Sequence, residues 1–323
     1  MQQTIETREL LAFEDGLDRA TYHKPPSAAP PSDPISSDPI HRDRIGVVFL
    51  NSLSPSRAAN GDSAVYWADS FAQSGYPSFR LDLAGYGDAA GDPPPELLKF
   101  INTGGYAALA AARIAELAAR FDLSGVVVVG LCAGAVSALF AAAACPQCKG
   151  LVLMDPYFYL PLKNRSKLWD KLTGRISRSD LGRLVGKVYD RLAAVRVRLL
   201  GSMPPKNANF PLLKRWQELA SAGLPILIFH APSAKLRRGE FDYRRYILAT
   251  AGSANQVVIK VIEGASHTFS NMVGRAAVRR HTESWLSNYF PAVEREEVAI
   301  ATLRSESNDN QSYSQRPEGC LHG

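Results

Sequence analysis

Residues 126–144, VVVVGLCAGAVSALFAAAA, restrict the fold of this chain more than any other stretch. Four consecutive valines demand a strand covered on both faces. A Gly-Leu-Cys-Ala-Gly turn follows, and a run of small residues suited to helix begins at once. Strand, sharp turn and helix in so few residues push the residue at the apex towards positive φ. Little more than hydrogen fits beside it, which accounts for Gly130 and Gly134 on either side of Cys132. The Cys132 side chain is thereby held out for attack, at a helix N-terminus whose partial positive charge favours a thiolate.

The rest of the chain is ample for one large domain: 323 residues, 46% of them apolar. It contains no apolar run of eighteen residues, and the start MQQTIETREL has neither the basic opening nor the apolar core of a signal peptide. The expected location is cytoplasmic. Four cysteines, at 132, 145, 148 and 320, are too few and too irregular for a disulfide framework. Cys145 and Cys148 have CxxC spacing, but no second pair and no nearby histidines complete a zinc site. We therefore expect no metal and no cofactor. The formal net charge of +6 is concentrated in residues 163–206, where twelve Lys or Arg face only Asp170, Asp180 and Asp190. Such a segment suits an anionic partner or a membrane surface. Without interleaved aromatics it does not suit nucleic acid.

Taken in order, residues 1–24 read as an edge hairpin turning near Glu14-Asp15-Gly16, and the proline-rich residues 25–44 as a connection. A first core segment, residues 45–159, alternates strands and helices: IGVVFL, a helix over 64–74, SFRLDL, the alanine-rich helix within 96–121, the cysteine strand and GLVLMDPYF. Residues 160–222 leave the alternation as a basic helical insertion. A second core segment, 223–291, resumes with PILIFHA, a helix around 241–250, VVIKVI and a helix over 273–289. Residues 302–323 read as a disordered tail. Such alternation specifies an α/β, doubly wound, mainly parallel sheet whose site lies at the carboxyl ends of its strands. Cys132 and His267 each follow a strand and fall on that edge.

Together GVVFLNS, GYPSFRLDLAGYGDAAGD, VVVVGLCAGA, GLVLMDPYF and EGASHTF resemble the α/β-hydrolase superfamily over most of residues 45–290. The cysteine elbow, LVLMDPY and the segment KLWDKLTGRIS are also similar to hydrolases accompanying bacterial exosortase and exopolysaccharide systems. The chain departs from these by lacking an aspartate early after PILIF, by Ala133-Gly134 after the cysteine, and by its long basic segment. The resemblance implies an α/β-hydrolase fold with residues 160–222 as its cap, and acyl transfer through a covalent intermediate.

It implies Cys132 as nucleophile and His267 as base. Candidate acids are Asp242 first, Glu240 second and Asp155 third, the last ending the strand after the elbow helix. His230, at the end of PILIF, supports another residue at most. His23, His41, His281 and His322 are weaker candidates. The oxyanion donors would be the N–H groups of Ala133 and Leu53, or of Ser52 in place of Leu53, with Arg57 available to bind a carbonyl or anion. The expected activity is hydrolysis of a small-molecule ester, thioester or lactone. Its alternatives are transferase or thioesterase action on a substrate carried by coenzyme A or an acyl carrier, and a binding protein that has kept the shell but lost the acid.

Overall fold

A computed structural model describes residues 7–26, 44–50, 56–160, 207–232 and 256–292. They form an eight-stranded sheet. In chain order the strands are β1 (Arg8–Ala12), β2 (Arg19–His23), β3 (Ile45–Leu50), β4 (Ser78–Asp82), β5 (Gly125–Leu131), β6 (Cys148–Met154), β7 (Ile226–His230) and β8 (Val257–Val261). Their spatial order is β1-β2-β4-β3-β5-β6-β7-β8. The hairpin β1-β2 runs antiparallel along the β4 edge, and the pairings from β4 to β8 are all parallel. The cysteine strand is central, flanked by β3 and β6.

The apolar runs are continuous because each central strand supplies two cores. Val126 and Val128 of β5 face one core, while Val127 and Val129 face the other. Leu151 and Leu153 of β6 likewise oppose Val152 and Met154, and Ile226 and Ile228 of β7 oppose Leu227 and Phe229. One face is covered by α1 (Ser63–Gln73) and the C-terminal α6 (Met272–Tyr289), which bury Trp67, Phe71, Val278 and Trp285. Trp67 also donates through Nε1 to the carbonyl of Arg275 at 3.0 Å, tying the two helices together. Full burial of one such large apolar side chain contributes about 2–3 kcal/mol.

The other face carries α2 (Leu97–Asn102), α3 (Ala107–Arg120), α4 (Ala133–Ala142) and α5 (Phe210–Ser221). The alanine-rich stretch forms the single helix α3, with the short α2 before it. Thr103-Gly104-Gly105 separates α2 from α3, with Gly104 at φ +79° and the Phe140 ring 2.9 Å from where its Cβ would lie. Helix α4 has no polar side: all ten of its residues are buried, as its small-residue sequence allows.

Helix α5 falls inside the 160–222 segment expected as cap, yet it packs on α4 and buries Leu212 and Trp216 in the core. Its start is fixed by Asn209, whose side chain accepts from the Leu212 N–H at 3.2 Å. The charged run 163–206, the helix expected around 241–250 and the tail lie outside the described residues. Among the described residues no helix is long and apolar enough to cross a membrane. Cys145 and Cys148 are buried free thiols at the end of α4 and the start of β6, and burial pushes the Cys148 thiol up to about 12.

Candidate active site

Cys132 stands between β5 and α4 at φ 53°, ψ −113°, a backbone conformation that non-glycine residues seldom adopt. Two contacts hold it there. Its N–H donates to the Met154 carbonyl at 2.8 Å, bonding the turn to the end of β6. Gly130 lies so close to the first turn of α4 that a Cβ would sit 2.4 Å from the Gly134 carbonyl oxygen. The turn closes only with glycine there, and the cysteine, partly exposed, takes the strained position at the apex. Ala133 opens α4, so its N–H is among the first-turn donors that have no acceptor within the helix.

His267 arrives from the segment after β8, with its side chain 52% exposed. Its Nδ1 lies 2.8 Å from Oδ2 of Asp155, so Nδ1–H donates to the carboxylate. The hydrogen bond to Asp155, followed by that to Cys132, raises the imidazole from its usual range to about 10. Both contacts favour the protonated ring, so a proton passed from Cys132 to His267 is stabilised there.

The carboxylate that meets His267 is thus Asp155, third in order among the sequence candidates; Asp242 and Glu240 lie outside the described residues. Asp155 follows β6 at φ 43° and is almost fully buried. Burial alone would push its carboxyl up. Hydrogen bonds from His230, His267 and the Ala231 N–H outweigh that and hold it below the ordinary carboxylate range. The two oxygens divide the work. Oδ1 accepts from His230 Nδ1 at 3.1 Å and from the Ala231 N–H at 3.0 Å, and Oδ2 accepts from His267. His230, fully buried at the end of β7, is therefore more than a neighbour: it donates to the same carboxylate as His267. In the sequence its only signal is a histidine at the strand end where an acid was sought.

Arg57 Nε donates to Thr21 Oγ1 at 2.8 Å, and its Nη1 donates to Asp82 at 2.5 Å and to Asp88 at 2.6 Å. Asp82 is wholly buried and also accepts from the Asp88 N–H at 3.1 Å. The guanidinium thus clamps the glycine-rich turn after β4 and neutralises a buried carboxylate. Nε and Nη1 of its fork are thus engaged by the protein. Leu53 and Ser52 lie outside the described residues.

Cys132, His267 and Asp155 follow the carboxyl ends of β5, β8 and β6, the edge where an open α/β sheet places its site. The family described as the Alpha/beta hydrolase family matches residues 47–280, and the chain belongs to it. The protein is thus a hydrolase of the α/β type. The same fold recurs in TT1662 of Thermus thermophilus, 16% identical, covering 88% of this chain and 97% of that one with a TM-score of 0.54. It recurs in the esterase Pf2001 of Pyrococcus furiosus, at 14% identity, 88% and 90% coverage and a TM-score of 0.52. The hypothetical protein PA2218 of Pseudomonas aeruginosa gives 14%, 89%, 95% and 0.51 in the same order. No curated protein matches the chain.

Proposed function

We propose that the protein is a cysteine-dependent acyl hydrolase in which Cys132, His267 and Asp155 act as nucleophile, base and acid. The observation that carries this reading is the 2.8 Å bond from His267 Nδ1 to the buried Asp155, beside a cysteine held at positive φ. The proton of the Cys132 thiol resides on His267, and the resulting sulfur anion attacks the carbonyl carbon of an ester or thioester. The N–H of Ala133, with that of Leu53, stabilises the developing oxyanion. His267 then protonates the departing alkoxide or thiolate, leaving the acyl group on Cys132 as a thioester. Water, deprotonated by His267, attacks that thioester, and the acid and the free thiol are released. Asp155 fixes the imidazole tautomer and supports the imidazolium throughout. A carboxylate bonded to His267 favours catalysis over a binding shell that has lost its acid.

The surplus of nine positive charges in residues 163–206 favours substrates attached to an anionic carrier, coenzyme A or an acyl carrier protein. Hydrolysis or transfer from such a carrier uses the same first half-reaction. The test is mass spectrometry of the intact protein after incubation with a panel of acyl esters and thioesters. We expect an acyl adduct on Cys132 that disappears in Cys132→Ala and is strongly reduced in His267→Ala. Unchanged turnover in Cys132→Ala would overturn the proposal.

A further inference from the structure

The segment that carries His267 from β8 to α6 is closed on itself by hydrogen bonds that the mechanism above does not use. The Phe269 N–H donates to the Ser266 carbonyl at 2.9 Å, closing a turn in which His267 is the second residue. One foot of this turn is sunk in the core. Phe269 is wholly buried, packs on the Phe229 ring, and takes φ +50°. A phenylalanine in that conformation persists only where its surroundings over-determine it. The first turn of α6 does so, lying so close that a Cβ on Gly274 would sit 3.0 Å from the Phe269 Cα.

The other foot, Ser266, is held by Asn271. Its Oδ1 accepts from the Ser266 N–H at 3.4 Å and from the Gly274 N–H at 3.1 Å, and its Nδ2 donates to the Gly264 carbonyl at 2.7 Å. A single amide therefore joins the entry to the turn, the foot of the turn and the start of α6. A helix N-cap needs only the bond to Gly274. The other two reach back across His267, although Asn271 is exposed and adds nothing to the core. Hydroxyls tie the same turn, Thr268 Oγ1 lying 3.3 Å from Ser266 Oγ and 2.8 Å from Ser270 Oγ. The support at the far end is firm, because α6 buries Val278 and Trp285 in the core.

We propose that Asn271 is a positioning residue of the site: by fastening Gly264 and Ser266 to the start of α6, it fixes where the His267 backbone stands relative to Asp155 and Cys132. Its effect on turnover rests on the acyl-enzyme reading; its effect on the imidazole does not. The physical argument is one of tolerance. Proton transfer between held groups survives little drift, and a misplacement of about 1 Å can cost about 100-fold in rate.

The test separates this clamp from an ordinary helix cap in the full-length protein. Asn271→Ser keeps an oxygen for the Gly274 N–H, and serine caps helices about as well as asparagine, but the amide that donates to Gly264 is gone. Asn271→Ala loses both. Measured for each are the urea unfolding midpoint, the NMR titration of His267, and single-turnover acylation of Cys132 by the butyryl thioester of N-acetylcysteamine. Asn271→Ser should unfold at the wild-type midpoint and titrate His267 lower than the wild type, as its contacts to Asp155 and Cys132 loosen. It should acylate about ten-fold or more slowly at saturating thioester, with the half-saturating concentration unchanged. Asn271→Ala should show the same losses with a lower urea midpoint. An unchanged His267 titration and acylation rate in Asn271→Ser makes Asn271 a helix cap alone and overturns the proposal, as does a loss matched by a fall in that variant's urea midpoint. If the thioester fails to acylate the wild type, that failure counts against the acyl-enzyme reading, and the His267 titration decides the clamp by itself.

Discussion

Replacing Asp155 by asparagine is the most searching perturbation, because the structure says how the new side chain would settle. In the native site Oδ1 accepts from His230 Nδ1 and the Ala231 N–H, at 3.1 and 3.0 Å. An asparagine would keep its oxygen there to satisfy both donors, which turns its NH2 group towards His267. Donor would then face donor at His267 Nδ1, so the imidazole must move its proton to Nε2. Nε2 thereby ceases to be a base. In a serine enzyme, freezing the wrong tautomer costs about 10^4 in kcat. A thiol ionises more readily than a hydroxyl, so we expect a loss of about 10^2 to 10^3 in kcat/KM, or about 3–4 kcal/mol. The assay is single-turnover acylation of Cys132 by a thioester, alongside NMR titration of the imidazole. Wild-type His267 should titrate far above 6.5, and Asp155→Asn should bring its midpoint down, because its largest raising contact is lost. Activity within three-fold of wild type in Asp155→Asn, coupled with loss in Asp242→Asn, would refute the assignment and restore the acid expected in the loop after β7.

Two further outcomes follow from the same contacts. His230→Phe removes one of the three donors that hold Asp155 below the ordinary carboxylate range, so Asp155 titrates higher and the acid limb of the kcat/KM profile moves to higher pH; His230→Asn, which keeps a donor, should move it back. Arg57→Ala removes a cation and a donor from the buried Asp82 and should lower unfolding free energy in urea by about 1–3 kcal/mol, whereas a rise in KM at unchanged stability would return Arg57 to the substrate.

Periodicity carried the fold because the chain obeys it without exception at the centre. Strands covered on both faces appear as unbroken apolar runs, and β3, β5, β6 and β7 all have them. The cysteine turn was legible for a steric reason, since so short a passage from strand to helix needs Gly130. Other features depend on pairings that no local pattern encodes. Asp155 and His267 are 112 positions apart, and they meet because β6, β7 and β8 lie side by side. The register of Met154 opposite Phe229 then sets Asp155 beside His230. Arg57 looked available in sequence because its partners Asp82 and Asp88 come 25 and 31 positions later. Helix α5 read as cap because it follows a charged stretch, and only its packing against α4 shows that it belongs to the core.

The bond from the Cys132 N–H to the Met154 carbonyl has a mechanical consequence. It fastens the sulfur-bearing turn to the strand end that bears Asp155, and β5 and β6 are paired without interruption from Val127 to Leu131. Thiol and carboxylate therefore ride on one rigid plate. The imidazole instead hangs from a half-exposed segment beyond β8, latched to that plate by its bond to Asp155. Swinging His267 away would part the imidazole from both while leaving the Cys132 thiol and the Asp155 carboxylate where they stand.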